Sequence, residues 1–180
     1  ELNVNVVSTT EQWAGAAIAG PKSRELLKKL FPKIDTSKEG LPFMGYLEAN
    51  LFGIHARIFR ISFSGELAYE VNVESNNGNF MWEKIMEIGK EFEIQPYGTE
   101  ALSTLRIEMG HVAGSELDGR TIPYDNSLEG LVSKKKDFIG KRSLNRKAFT
   151  AEDRQQVVGV VPLDKKTSIP EGSHLVKDAK

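Results

Sequence analysis

Two β-rich runs separated by only three residues constrain the fold of this chain most. The runs, 54–63 and 67–74, flank Ser64-Gly65-Glu66, which has the length and composition of a hairpin bend with a glycine in it. The apolar positions of the second run alternate with polar ones, and they are Tyr69, Val71 and Val73. Because side chains alternate across a strand, we expect one packed and one solvent-facing surface.

Helical and strand patterns surround this hairpin. Residues 11–20 and 46–52 read as strands, and 23–31 carries leucines at helical spacing. From residue 79 the period changes, and the amphipathic positions are Trp82, Ile85, Met86, Gly89 and Phe92. A further helix is predicted over about 99–109, with Gly110 as its left-handed stop. The pattern predicts an α+β fold of mostly antiparallel sheet with packed helices.

The last third of the chain is less regular. Residues 112–126 form a loop of functional length, and 156–161 reads as a buried strand. We expect one domain over 1–149 and the start of a second β domain over 150–180, with flanking sequence missing at both ends.

Composition excludes several classes of function. The 180 residues are 39% hydrophobic and 27% charged, with no cysteine and a net charge of −1. The sequence contains no signal peptide and no apolar run long enough to span a membrane, which predicts a cytoplasmic protein without a membrane partner.

The basic cluster comprises Lys134, Lys135, Lys136, Lys141, Arg142, Arg146 and Lys147. We interpret it as a solvated face rather than a nucleic-acid site, although it can also steer an anionic ligand tail. The three histidines lack metal-ligand spacing, so we expect no metal site.

Glu66 is the first candidate for ligand binding. It directly follows the glycine of the bend, so its carboxylate lies at the hairpin tip. A carboxylate can accept two parallel hydrogen bonds from a planar donor pair, such as the ring N–H and exocyclic amine of a pterin. Most exposed glutamates in turns are simply solvated, and the residue alone does not decide between these readings.

Three blocks of sequence carry a family resemblance. Arg60 to Glu70 resembles the R-x-G-Y-T-G-E-x-G-Y-E region of the glycine-cleavage T protein and its relatives. Gly98 to Gly110 resembles the family's G-x-x-A-x-x-x-L-R-x-E-x-G helix, and Asp137 to Lys141 its D-F-x-G-K segment. The chain is therefore identified as similar to the aminomethyltransferase-like, folate-binding family. Within it, the segments beginning at Glu11, Ala19, Pro96 and Lys141 most resemble sarcosine oxidase alpha subunits.

The resemblance implies roles for individual residues. Glu66 matches the glutamate that holds the pterin. His111 matches a position where relatives often carry Tyr, so its ring can stack on folate or simply cap the helix. Phe63 replaces the usual Tyr and either lines the site or packs. Leu102 is a departure, since T proteins carry a folate-contacting Arg there. Arg106 and Glu108 are interpreted as structural.

The resemblance also implies an activity. Sarcosine would be oxidised at a flavin in a partner subunit, and its one-carbon unit would pass to tetrahydrofolate to give 5,10-methylenetetrahydrofolate. The family's catalytic Asp lies upstream, so no catalytic residue is expected in this segment. FAD, FMN and NAD are expected elsewhere in the complex, with other sarcosine oxidase subunits as partners. The alternatives are a non-catalytic folate-binding or assembly module, and an aminomethyltransferase of the T-protein or dimethylglycine dehydrogenase type.

Overall fold

A computed structural model describes residues 3–170, 172–174 and 176 of the chain. The chain divides into two compact units, Glu1–His111 and Val112–Lys180. The predicted boundary between residues 149 and 150 stays a prediction.

The first unit is built on one four-stranded sheet. Its strands are β1 (Trp13–Ala19), β2 (Tyr46–Leu51), β3 (Ile54–Phe59) and β4 (Ala68–Glu74). They lie in the order β1-β4-β3-β2, and every neighbouring pair is antiparallel. Three helices accompany the sheet: α1 (Ser23–Leu30), α2 (Gly78–Gly89) and α3 (Thr99–Met109). The predicted α+β class with antiparallel sheet is confirmed.

The core lies on one face of this sheet, against α1 and α2. The alternation predicted for β4 is confirmed, because Tyr69, Val71 and Val73 are fully buried. Leu26, Leu27 and Leu30 of α1 pack in the same cluster, as the leucine spacing requires. The alternate positions of β4, on the other face of the sheet, carry the polar residues Glu70, Asn72 and Glu74.

Two details of the first unit differ from the sequence prediction. The hairpin strands end at Phe59 and begin again at Ala68, so the bend is an eight-residue loop rather than three residues. Ile61 to Phe63 continue the β pattern in sequence but pair with nothing in the ladder. In α2, Met81 and Ile85 are buried, whereas Trp82 is 49% exposed. The buried face of α2 is therefore centred on Met81, Ile85 and Gly89, and Trp82 lies at the edge of that face.

The second unit contains short 3-10 turns and no strand among its described residues. The predicted buried strand at 156–161 is wrong there, since Val158 is 63% and Val161 is 78% exposed. Among the described residues the segment forms no ladder of backbone hydrogen bonds with another strand, and its exposed backbone is open to water. Within the described part of the chain, no helix is long and apolar enough to cross a membrane.

Candidate functional site

The β3–β4 loop, residues 60–67, holds two of the three residues predicted to bind a ligand. Its ends are fixed by hydrogen bonds. Arg60 N donates to Gly45 O at 2.9 Å, and the Arg60 guanidinium donates to Ala68 O at 3.1 Å. The carbonyl of Leu67 accepts from Gly20 N at 2.9 Å and from Ser23 Oγ at 2.8 Å. Anchors on both sides leave 62–66 as the tip of the loop, in which Phe63, Gly65 and Glu66 are exposed.

Gly65 lets the tip turn. Its φ is +82°, in the left-handed region that L side chains rarely adopt. A Cβ built on Gly65 would lie 2.6 Å from Met109 Sδ, at the end of α3. The glycine therefore provides both the backbone conformation and the space that the neighbouring methionine fills. Sequence reasoning identified Gly65 as a bend residue but missed Met109, whose role depends on a contact between elements distant along the chain.

Glu66 follows Gly65 and is exposed. It makes no hydrogen bond or ion pair with any other residue that the structure describes. Its carboxylate is available to accept hydrogen bonds from a planar donor pair without first breaking a bond within the protein.

Phe63 and His111 meet beside this loop. Their ring centroids are 5.2 Å apart, with the planes tilted by 49°. Phe63 is 46% exposed, so part of its ring stays open to solvent. His111 is half-buried, and its Nδ1 is a buried atom without a hydrogen-bond partner in the described structure. The structure thus brings together two residues that lie far apart in sequence.

The end of α3 positions His111. Gly110 has φ +80° and closes the helix, with His111 N donating to Arg106 O at 2.9 Å. The Arg106 guanidinium in turn donates to His111 O at 3.1 Å. The helix over 99–109 with Gly110 as its stop is confirmed, and Arg106 has the structural contact that its place in the helix predicted.

Buried polar groups without partners accumulate around the loop. Ser64 is 8% exposed, and neither its hydroxyl nor that of Ser62 makes a hydrogen bond within the described residues. At the start of β4, burial raises the pKa of Tyr69 against the opposing effect of nearby Arg24 and Arg60. Most buried polar groups in folded proteins have a hydrogen-bond partner in the protein or in ordered water.

An apolar groove of about 570 Å³ lies elsewhere in the first unit, along β1. Trp82, Tyr97 and Leu102 line it, whereas Phe63, Glu66 and His111 do not. Leu102, the residue that departs from the family pattern, therefore lines this apolar groove and does not lie on the β3–β4 loop. No group of three or more side chains suited to a metal ion occurs within residues 3–170, 172–174 and 176.

Comparison with known proteins gives one family and several relatives. The GCVT N-terminal domain family matches residues 1–136. The sarcosine oxidase subunit alpha of Rhizobium meliloti is 48% identical over 179 residues, which are 98% of this chain and 18% of that protein. The mitochondrial dimethylglycine dehydrogenase of Mus musculus is 34% identical over 147 residues, 80% of this chain and 17% of that protein. The aminomethyltransferase of a Thermoanaerobacter species is 32% identical over 164 residues, 89% of this chain and 44% of that protein.

The chain spans less than a fifth of the length of the sarcosine oxidase subunits alpha that it matches. The family match, by contrast, covers well over half of the chain itself. It includes β1 to β4, all three helices and the loop that carries Glu66. The chain belongs to the GCVT N-terminal domain family.

Proposed function

We propose that this chain is the folate-binding region of a sarcosine oxidase-like enzyme. Its similarity to three sarcosine oxidase subunits alpha, at 44–48% identity over nearly the whole chain, supports this reading over a general aminomethyltransferase. Their names as subunits also favour a complex in which other chains provide the amine oxidation. The segment would then supply the binding site for the acceptor of the one-carbon unit.

The arrangement of the loop tip carries the proposal. An exposed carboxylate without a partner in the described structure, Glu66, lies three residues after Phe63, whose ring contacts that of His111. The 2-amino-4-oxo edge of a pterin presents two parallel N–H donors, which suit a carboxylate, and its flat rings suit an aromatic neighbour. The acceptor carboxylate of Glu66 and the neighbouring aromatic rings therefore suit the pterin of tetrahydrofolate.

The chemistry proposed for this region is positioning. A flavin held elsewhere in the complex would take up the two electrons from oxidation of the N-methyl carbon of sarcosine, which would leave an iminium. Tetrahydrofolate bound here would supply the acceptor, so that the carbon leaves as 5,10-methylenetetrahydrofolate with release of glycine. Glu66 orients the ligand through its ring edge and transfers no proton. Holding the reacting groups together removes the entropy of a bimolecular encounter.

Product partition tests this proposal in the full-length enzyme. Sarcosine is turned over with tetrahydrofolate present, and formaldehyde and methylenetetrahydrofolate are measured together. Glu66→Gln should keep sarcosine oxidation while shifting the carbon to formaldehyde, because the iminium is hydrolysed when no folate intercepts it. Glu74→Gln, at the exposed end of β4, is the matched control. Unchanged partition in Glu66→Gln would contradict the assignment.

A dimethylglycine dehydrogenase-type enzyme is the second candidate. The 34% identity to the mouse dehydrogenase supports it, at a lower level than the sarcosine oxidase subunits. Comparing turnover of sarcosine and dimethylglycine by the full-length protein separates the two. If folate binds but neither amine supports transfer, the region is a folate-binding or assembly module.

A further inference from the structure

The side chain of Met109 supports the tip of the β3–β4 loop. Its Sδ, Cγ and Cβ atoms lie 2.6, 3.1 and 3.3 Å from the position that a Cβ on Gly65 would occupy. Three consecutive side-chain atoms therefore pack against the backbone of Gly65, the residue directly before Glu66. The contact joins the end of α3 to the loop. The conformation of the tip consequently depends on the size and polarity of this side chain.

The same side chain is open to solvent. Met109 is 53% exposed and is one of four methionines in the chain. Met81 is 2% exposed, Met86 is half-buried and Met44 is 71% exposed. A small oxidant reaches a thioether according to the exposure of that side chain. Met44 and Met109 are therefore the accessible pair, and Met109 is the one that packs against Gly65.

Oxidation of this sulfur would remove the support. It converts the thioether into a sulfoxide, which is larger, polar and chiral. A sulfoxide oxygen held against the backbone of Gly65 would lose hydrogen bonds to water, and burying an unpaired polar group costs free energy. The oxidised side chain of Met109 therefore turns toward solvent and moves away from Gly65. Because a glycine at φ +82° restrains the backbone little by itself, the tip that carries Glu66 then loosens.

We propose that Met109 is an oxidation site through which a peroxide loosens the loop tip. The sulfur of Met109 attacks one oxygen of hydrogen peroxide, so that an S–O bond forms while the O–O bond breaks. The other oxygen takes up the proton that the first releases and leaves as water. Two electrons pass from the sulfur to the peroxide. A thiol-dependent methionine sulfoxide reductase returns the sulfoxide to the thioether, which makes the change reversible.

The source of the peroxide rests on the proposed function. In a flavin oxidase, the reduced flavin passes its two electrons to dioxygen and releases hydrogen peroxide. The peroxide would thus form in the same complex that contains Met109. Loosening of the tip would move Glu66 away from the pterin, so that more of the one-carbon unit would leave as formaldehyde. Accumulated peroxide would in this way reduce transfer to tetrahydrofolate.

Peroxide titration of the full-length protein tests the oxidation site without any ligand. Trypsin places the four methionines on four different peptides, so mass spectrometry follows each sulfoxide separately. We expect Met109 to oxidise at least about tenfold faster than buried Met81. Amide hydrogen exchange of residues 62–66 should then accelerate by about tenfold. Oxidation of Met109 no faster than that of Met81, or unchanged exchange at the tip after oxidation, would overturn the proposal.

Leucine variants identify the responsible sulfur. Met109→Leu keeps an apolar side chain of similar volume and removes the sulfur, so the tip should exchange slowly before and after peroxide treatment. Met44→Leu is the matched control and should loosen as the wild type does. Met44 bonds the loop through its backbone N–H, which donates to Arg60 O at 2.9 Å and is unchanged by side-chain oxidation. Loosening of the tip in peroxide-treated Met109→Leu would assign the effect to another residue and overturn the proposal.

Folinate titration after removal of the peroxide separates this proposal from the proposed function. Oxidised wild-type protein should bind folinate about tenfold more weakly, whereas peroxide-treated Met109→Leu should bind it as untreated protein does. If untreated protein binds no folinate, the proposed function fails, while the exchange of residues 62–66 still decides the role of Met109. Equal affinity before and after oxidation of Met109 would overturn its control of the ligand site.

Discussion

At the residue scale, the presentation of Glu66 depends on Gly65. Its φ of +82° and the 2.6 Å between its ideal Cβ position and Met109 Sδ are two separate obstacles to any side chain there. Gly53 offers a matched comparison, because its φ is +99° and nothing lies within 4 Å of its Cβ position. The two glycines separate backbone strain from steric conflict.

We predict that Gly65→Ala destabilises the protein more than Gly53→Ala does. An L residue in the left-handed region costs about 1–2 kcal/mol, and at Gly65 the clash with Met109 is added. Adding Met109→Ala to Gly65→Ala removes the clash. The loss in unfolding free energy of the double variant, minus the loss in Met109→Ala alone, should therefore approach the loss in Gly53→Ala. Urea unfolding measures all four variants. Equal losses of unfolding free energy in Gly65→Ala and Gly53→Ala would show that the Met109 side chain moves aside at no cost in stability, which would contradict this prediction.

Among site residues, Glu66, Phe63 and His111 could be proposed from the sequence, because the first two fall in a recognisable block and His111 directly follows one. Their roles in folate binding stay predictions. The ring contact between Phe63 and His111 and the support of Gly65 by Met109 could not be predicted from the residues alone. Both arise where the β3–β4 loop meets the end of α3, and such contacts depend on tertiary packing rather than local pattern.

At the element scale, periodicity predicted the helices and strands of the first unit well. It failed where apolar residues have no partner. Ile61 to Phe63 and the valines of 156–161 look like strand in sequence, but pairing decides whether a strand forms. In α2, a large apolar residue, Trp82, was assigned to the packed face, whereas the structure places it in the groove wall. Hydrophobic spacing alone does not reveal which apolar residues stay open.

One ion pair joins two segments of the second unit. Arg154 Nε donates to Asp125 Oδ1 at 2.8 Å, and Ile122 N donates to Asp125 Oδ2 at 2.9 Å. Asp125 is only 4% exposed. The Arg154 guanidinium, together with the backbone bond, holds the pKa of Asp125 below its ordinary 3.8. The pair therefore links the 3-10 turn at Pro123–Asn126 to a residue 29 positions along the chain.

This pair predicts an acid-sensitive contribution to stability. A carboxyl whose pKa is lowered by folding stabilises the fold above its unfolded value of 3.8, and the contribution is lost as pH falls through the lower folded value. Asp125→Asn should lower the free energy of unfolding at pH 7. It should also make that free energy fall less steeply as the pH drops below ~4. Urea unfolding across this range measures the effect, with exposed Asp137→Asn as control. An unchanged acid profile in Asp125→Asn would exclude the pair as its cause.

At the scale of the whole molecule, the fold class and family followed from sequence, and the predicted domain boundary between residues 149 and 150 stays a prediction. The structure divides the chain between His111 and Val112, within the family match over 1–136. In the sequence this point is the start of the irregular stretch 112–126, just after the helix stop at Gly110. Three-dimensional contacts define the division, and the family match crosses it.

The most direct test of the proposed folate site is calorimetric titration of tetrahydrofolate or folinate into the full-length protein, with and without Glu66→Ala. Loss of a charge-assisted, two-point contact should weaken binding by about 1.5–3 kcal/mol, roughly tenfold to over a hundredfold. Glu74→Ala, on the same strand as Tyr69, should bind as wild type does. Unchanged affinity in a folded Glu66→Ala protein would contradict the account and leave a family fold without its expected ligand contact.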